Sequence, residues 1–351
     1  MSISSGSNPA AGAAVFFRNK SRGISIAGAY GGSEFWASQI KTFYIFRTGE
    51  TVWKISFSGR INKRDDYEFY GFGSDPSSDP RNSFNTDASE EFVLFAQRLL
   101  RTPLVIGMRP SSKWEFFYAG FYQERQLSSP DNGNKGNLTN IYNAGNLPGA
   151  ETGNGSTEKQ IYNEISIRFD TRKYRNRISP GIRVEGYAGI SVGVDDNESR
   201  FSRSGLDAAF YLPIIKNNRL IVPRLVLDMV NNLNNDVPIS FADYPRQPTF
   251  RGVSSKTLLR TDEISLVPSL EYQWPITFNI GGHLFIDYLI VADSFNKITF
   301  SNSPYAYGIG FDLQVSNREV ARFSVASGSE GLRLDFSLGF TLHTNDRTKW
   351  Q

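Results

Sequence analysis

The chain has no cysteine, so it holds neither a disulfide framework nor a thiolate metal site. Histidine is almost absent: His283 and His343 are the two imidazoles, and neither stands in a His-Glu-x-x-His or cysteine–histidine context. A Walker loop, a dinucleotide fingerprint and a Gly-x-Ser-x-Gly elbow are also missing. Asp195-Asp196-Asn197-Glu198 gathers acidic side chains without EF-hand spacing and reads as a solvated turn. The expectation is no catalytic residue, no metal and no cofactor, in a protein that is not an enzyme. Neither charge sign dominates: 38 Lys and Arg are interleaved with 35 Asp and Glu for a net charge of +3, which argues against a nucleic-acid partner. No stretch of 18 or more apolar residues occurs, so no transmembrane helix is expected. Met1-Ser2-Ile3-Ser4-Ser5 lacks the basic region and apolar core of a signal peptide.

Aromatic residues are plentiful, at 14% with 27 Phe and 16 Tyr, yet the mean hydropathy is negative, at -0.36. A membrane barrel combines the two, because one face of each strand meets lipid and the other meets a polar interior. The dominant signal is alternation with period two. In 305–315, Tyr305, Tyr307, Ile309, Phe311, Leu313 and Val315 alternate with Ala306, Gly308, Gly310, Asp312 and Gln314. In 332–342, Leu332, Leu334, Phe336, Leu338, Phe340 and Leu342 alternate with Arg333, Asp335, Ser337, Gly339 and Thr341. In 284–293, Leu284, Ile286, Tyr288, Ile290 and Ala292 share one face, and Phe285, Asp287, Leu289, Val291 and Asp293 the other. Successive strand side chains point to opposite faces, and runs of about 10 residues cross a bilayer when tilted.

Strands are expected at 11–18, 22–30, 35–46, 51–62, 90–102, 114–126, 160–170, 182–194, 204–213 and 219–230, then at 263–276, 283–294, 304–315, 319–327 and 331–343. A short strand at 2–7 completes an even set of 16. Polar segments at 63–89, 127–159 and 231–262 read as long loops. Lys54, Arg60, Arg168, Asp170, Arg183, Glu185, Arg224 and Asp228 fall on the interior face and are expected to pair across strands. The chain reads as one domain over 1–351, an all-β transmembrane antiparallel barrel. A soluble β-sandwich or lipocalin is the competing fold class, although sandwich strands average only about five to six residues.

Four local patterns carry a family resemblance. Phe250-Arg251-Gly252-Val253 is followed by a strand ending Leu270-Glu271-Tyr272-Gln273-Trp274-Pro275-Ile276. Phe285-Ile286-Asp287-Tyr288-Leu289 comes next; Phe169-Asp170-Thr171-Arg172 with Pro180-Gly181 and Tyr70-Gly71-Phe72-Gly73 lie upstream. In this order the set resembles the bacterial surface-antigen barrel, the membrane domain of BamA-type outer-membrane assembly factors and two-partner secretion transporters. Val253 stands where that family has an aromatic residue, and Leu289 where it has glycine. The resemblance implies that loop 231–262 folds into the lumen and brings Arg251, with Phe250 and Gly252, to Asp287 and Phe285. It also implies that the last strand, through Phe336, Leu338, Phe340 and Leu342, forms a lateral seam and an assembly signal. The function it implies is insertion or translocation of proteins at a bacterial outer membrane. The implied partners are the lipid bilayer, outer-membrane or secreted protein clients and accessory envelope proteins. The family's periplasmic repeat domains are not in this sequence, and export requires a leader that Met1–Ser5 does not supply, so the chain reads as a mature or excised segment. A porin-like solute channel, and the barrel anchor of a longer passenger-bearing protein, stay open as alternatives.

Overall fold

The computed structural model describes residues 2–4, 11–19, 21–32, 35–73, 79, 82, 93–129, 157–173, 179–194, 199–215, 219–237, 239–245, 250–251, 257–258, 260–315, 318–329 and 331–338. Its strands are β1 (Ser2–Ser4), β2 (Ala11–Arg18), β3 (Arg22–Tyr30), β4 (Phe35–Thr48), β5 (Thr51–Phe69), β6 (Val93–Arg109), β7 (Trp114–Ser128), β8 (Thr157–Asp170) and β9 (Gly181–Gly193). There follow β10 (Arg200–Ile215), β11 (Arg219–Asn232), β12 (Thr257–Leu258), β13 (Ile264–Pro275), β14 (Ile280–Tyr288), β15 (Ile290–Ala292), β16 (Tyr305–Val315), β17 (Arg318–Gly328) and β18 (Gly331–Leu338). Two 3-10 turns lie between the strands, Phe241–Asp243 and Phe295–Lys297.

Each strand pairs antiparallel with the next from β2 through β11; β11 then pairs with β13, β13 with both β14 and β15, β14 with β16, β16 with β17 and β17 with β18. β1 pairs with β18, bringing the first and last strands together. Counting β14 and β15 as one interrupted strand, and setting β12 aside, the barrel has 16 antiparallel strands. Connections at one end are short, such as Gly49-Glu50 between β4 and β5. Those at the other end include the long segments 70–92, 129–156 and 233–263. Outer-membrane barrels place short turns on the periplasmic side and long loops outside.

Burial is inverted relative to a soluble protein. Ile165 and Leu332 are 62% and 66% exposed, while the carboxylates of Glu115 and Asp287 are fully buried. Apolar side chains facing out and charges facing in suit a chain whose surroundings are lipid, and exclude the β-sandwich. Aromatic rings gather at both ends of the outer wall. Tyr44, Phe46 and Trp53 stack in series at the short-turn end, as do Tyr272 and Trp274. Tyr288, Phe300, Tyr305 and Tyr307 line up at the long-loop end. Such girdles mark the two membrane–water interfaces.

Two expectations need correction. β5 runs on to Phe69, so the first long loop begins at 70, not at 63; the charged run Lys63–Asp66 stays in the ladder by bulging between Arg64 and Tyr67. The strand expected at 283–294 breaks at Leu289 into β14 and β15, and Ile290, Val291 and Ala292 are all buried. The strand is interrupted at Leu289, and Leu289 and Val291 pack on Phe250 of the inserted loop. The strands expected at 2–7 and 11–18 are present as β1, which pairs with β18, and β2, which pairs with β3.

Candidate functional site: a loop clamped inside the barrel

The loop between β11 and β13 enters the barrel and is held at three places. The first is Arg251. Its Nε and Nη2 donate to Asp287 Oδ2 and Oδ1 at 2.8 and 2.7 Å, a fork on a fully buried carboxylate. Its backbone N–H donates to the same carboxylate at 3.1 Å. Nη1 donates to Glu271 on β13, whose other oxygen accepts from Gln273 at 2.6 Å. The guanidinium carbon lies 3.7 Å from the centre of the Phe285 ring. Arg251 is thus met by two carboxylates and an aromatic face, the surroundings that a planar, permanently charged fork matches. Burial alone would weaken the guanidinium's charge, but hydrogen bonding to Asp287 and attraction from Glu271 and Asp287 raise its pKa instead.

The hydrophobic side of this contact comes from Phe250, which packs with Val267, Leu289, Val291 and Ala306 against Tyr70 and Val226. Leu289, the departure from the family's glycine, is fully buried in this cluster. Phe285 reaches the guanidinium because Gly308 faces it across the ladder: a Cβ there would lie 2.7 Å from the Phe285 ring.

The second clamp was not expected from the sequence. Asp243, in the 3-10 turn of the loop, accepts from Arg125 on β7 through Nη1 at 2.9 Å and through Nη2. Gln160 on β8 donates to the same carboxylate at 3.2 Å. The Arg125 fork also grips Glu158 at 2.9 and 2.6 Å. The third hold is apolar. Phe241, Ala242 and Tyr244 of the loop pack with Ile239 against Phe69, Phe72, Val93, Phe95, Leu127, Phe201 and Val230. Beside it β12 pairs parallel with the end of β5, Thr257 opposite Glu68 and Leu258 opposite Phe69. Thr261 exchanges backbone hydrogen bonds with Gly71 and Gly73 at 3.1 and 3.2 Å. The motif Tyr70–Gly73 therefore docks the loop. Gly71 has φ +107, and Asn82, which brackets Phe72 with two hydrogen bonds, leaves no room for a Cβ at position 71.

Burial raises the Asp243 carboxyl, but the charge and hydrogen bonds of Arg125, with Gln160, outweigh it and hold the pKa below the ordinary 3.8. The sign follows: a depressed folded-state pKa contributes stability above the unfolded value, lost as pH falls through the lowered one. The loop is expected to stay clamped from neutral pH down to about 4 and to loosen below it. Single-channel conductance recorded as a function of pH checks this; a rise already complete at pH 5 refutes it.

Of the interior charges, Arg168 binds Glu115 and Glu185 at 2.9 and 2.8 Å, Arg183 binds Glu185 and Asp207 at 3.1 and 2.8 Å, and Arg224 binds Asp207 at 2.8 Å. Asp228 pairs with Arg203. Asp170 grips Arg172 in the Asp-Thr-Arg turn at 2.9 Å. Lys54 sits 5.9 Å from the Phe43 ring centre, and Arg60 stands opposite Arg101. Phe336 and Leu338 lie on β18, with Phe336 opposite Ile3 of β1. Gly252, Val253, Phe340, Leu342, His343 and the acidic run 195–198 lie outside the described residues. Among the described residues no cluster of three metal-ligating side chains occurs.

No protein-family model matches this sequence, and no curated protein is significantly similar to it. Solved structures do match. The crystal structure of BamA from Haemophilus ducreyi lacking POTRA domains 1-3 superposes with a TM-score of 0.62 at 10% identity, over 95% of this chain and 68% of that one. CdiB from Acinetobacter baumannii superposes with a TM-score of 0.51 at 9% identity, over 90% of this chain and 52% of that one. This chain therefore spans about half the length of CdiB. At such identities the likeness is one of fold, and the fold of this chain is that of the BamA and CdiB membrane barrels.

Proposed function

We propose that this chain is the membrane barrel of a factor that inserts or translocates proteins at the bacterial outer membrane, and that it works without catalytic chemistry. The observation that carries the reading is the weak join between the first and last strands. β18 lies against β17 along its whole described length, Gly331–Leu338 against Ala321–Gly328. On its other side, among the described residues, it meets Ser2–Ser4 through Asp335–Ser337. Among the described residues β2 is hydrogen-bonded on one edge alone, to β3. Unpaired strand edges template further strands, and strand addition supplies main-chain hydrogen bonds to an incoming extended segment. The clients fitted by such an edge are polypeptides whose own strands are not yet paired. The internal loop keeps the lumen occupied while the wall opens.

A cross-link tests this. Ile3 and Phe336 are directly opposite, an antiparallel spacing of about 4.5–5.5 Å that a disulfide spans. The chain has no cysteine to compete. In vesicles the wild type should speed the folding of a urea-unfolded eight-stranded barrel. The oxidised Ile3→Cys/Phe336→Cys variant should lose that acceleration and regain it on reduction. Full activity of the oxidised form rejects the seam. No acceleration by the wild type rejects the insertion reading itself.

A further inference from the structure

The outer wall carries cations where its apolar band ends toward the long loops. Lys63 on β5 and Arg98 on β6 are directly opposite each other. Both point outward, because Arg64 and Gln97, their neighbours in the next pair of the ladder, face the interior, Gln97 being 2% exposed. Lys159 on β8 stands opposite Glu124 on β7, and Glu124 stands opposite Leu100, which places Lys159 one outward-facing position nearer the short-turn end than Arg98. Arg200 on β10 is opposite Val192, and Val192 is opposite Ile161, one further step in the same direction. Strands in a closed barrel tilt, so rows of opposed residues run obliquely to the membrane plane. A line that steps steadily along the strands from β5 to β10 is what a fixed membrane level traces on such a wall. Ile61, Leu100 and Ile161 lie directly below Lys63, Arg98 and Lys159 on the same face. On the β4 side Trp36 is opposite Lys63, and Tyr30 is opposite Trp36, an interfacial aromatic pair.

The charges along this line are not balanced. Lys63 is engaged by Asp65 at 2.7 Å, and Glu124 stands beside Lys159. Arg98 and Arg200 are exposed, and neither has a side-chain partner among the described residues. Like charges directly across a ladder, as at Lys63 and Arg98, repel. An anion lying over them removes that repulsion, and guanidinium groups bind phosphate through paired hydrogen bonds.

We infer that Lys63, Arg98, Lys159 and Arg200 form a binding surface for the phosphorylated headgroup of an outer-leaflet lipid, with its acyl chains against Ile61, Leu100 and Ile161. Arg98 and Lys159 are two strands apart, about 10 Å laterally, so one headgroup bearing two phosphates reaches both. The inference rests on the membrane orientation given above. It also assigns the wall from β5 to β10, away from the seam, to lipid anchorage, so that the strands that must part are not the strands held.

The test uses the full chain in phosphatidylcholine vesicles with and without lipid A. A heat-modifiable folded band in phosphatidylcholine alone confirms the barrel independently of the headgroup; its absence overturns the membrane reading and this one together. Lipid A retained per barrel is then read by native mass spectrometry. Arg98→Gln and Arg200→Gln are each expected to weaken retention about fivefold, and Arg47→Gln, at the short-turn rim, to leave it unchanged. Retention by the Arg98→Gln/Arg200→Gln double variant equal to wild type overturns the proposal. So does protection of the wild type against heat by inorganic phosphate as strong as that by lipid A, since the ligand is then a soluble anion.

Discussion

Arg251→Ala is expected to unseat the lumenal loop and cost the barrel about 3 kcal/mol, the low end for removing one partner of a buried ion pair. The reason lies in what stays behind. Asp287 is fully buried, and its neighbour Glu271 is mostly so; without the guanidinium, two carboxylates face each other across β13 and β14 with no cation between them. The loss appears as a lower temperature at which the folded band disappears on an unboiled gel. It appears also as raised, noisy single-channel conductance, because Phe250 and the chain around it are no longer tied to the wall. Arg251→Lys should recover little of either. An ammonium group cannot span both oxygens of Asp287, reach Glu271 and lie over Phe285 together. A large, steady wild-type conductance that ignores both substitutions would mean that the loop leaves the lumen open, and would return the solute-channel reading.

The second large effect belongs to Arg125. It is 3% exposed and holds Glu158 and Asp243 together. Arg125→Ala leaves two carboxylates close and unneutralised, and about 3–5 kcal/mol of stability should go with it. Asp243→Ala relieves that repulsion, so the Arg125→Ala/Asp243→Ala double variant should be more stable than Arg125→Ala alone. A second cycle asks whether the loop moves as one body. Arg125 grips its first turn and Arg251 is its far anchor; if either release frees the whole segment, the double variant Arg125→Ala/Arg251→Ala loses clearly less than the two single losses added. Simple additivity, measured from the melting of the folded band, would show two independent latches.

Much of the barrel is written in the order of its side chains. Period-two alternation placed β16 and the start of β14 on the correct faces, because a strand has two faces and the environments on either side differ sharply. The short strand at 2–7 needed for an even count is present as β1, Ser2–Ser4. Phe250-Arg251 and Asp287 were legible through resemblance, 36 residues apart. Three things were not. The alternation broke at Leu289, where the strand is interrupted and Leu289 and Val291 pack on Phe250 of the folded loop. The strand β12 pairs over two residues only and carries no period. The Arg125–Asp243 clamp joins positions 118 apart in sequence, each an ordinary charge in its own segment.

What the sequence alone determined, then, is the wall: the order of its strands, their two faces, and a chain able to lie in lipid. Those follow from local periodicity, which depends on a residue and its near neighbours. Only the tertiary structure decided how the interior is filled and which strands the ends of the chain meet. The loop's path depends on a hydrophobic cluster drawn from β5, β6, β7, β10 and β11, on the Arg125 fork reaching in from β7 and on the Arg251 fork reaching out to β14. The three-residue ladder between β1 and β18 depends on where the ends of the chain meet. Both are contacts between segments far apart along the chain, and no local pattern of side chains encodes which distant partner a charge or a strand edge will find.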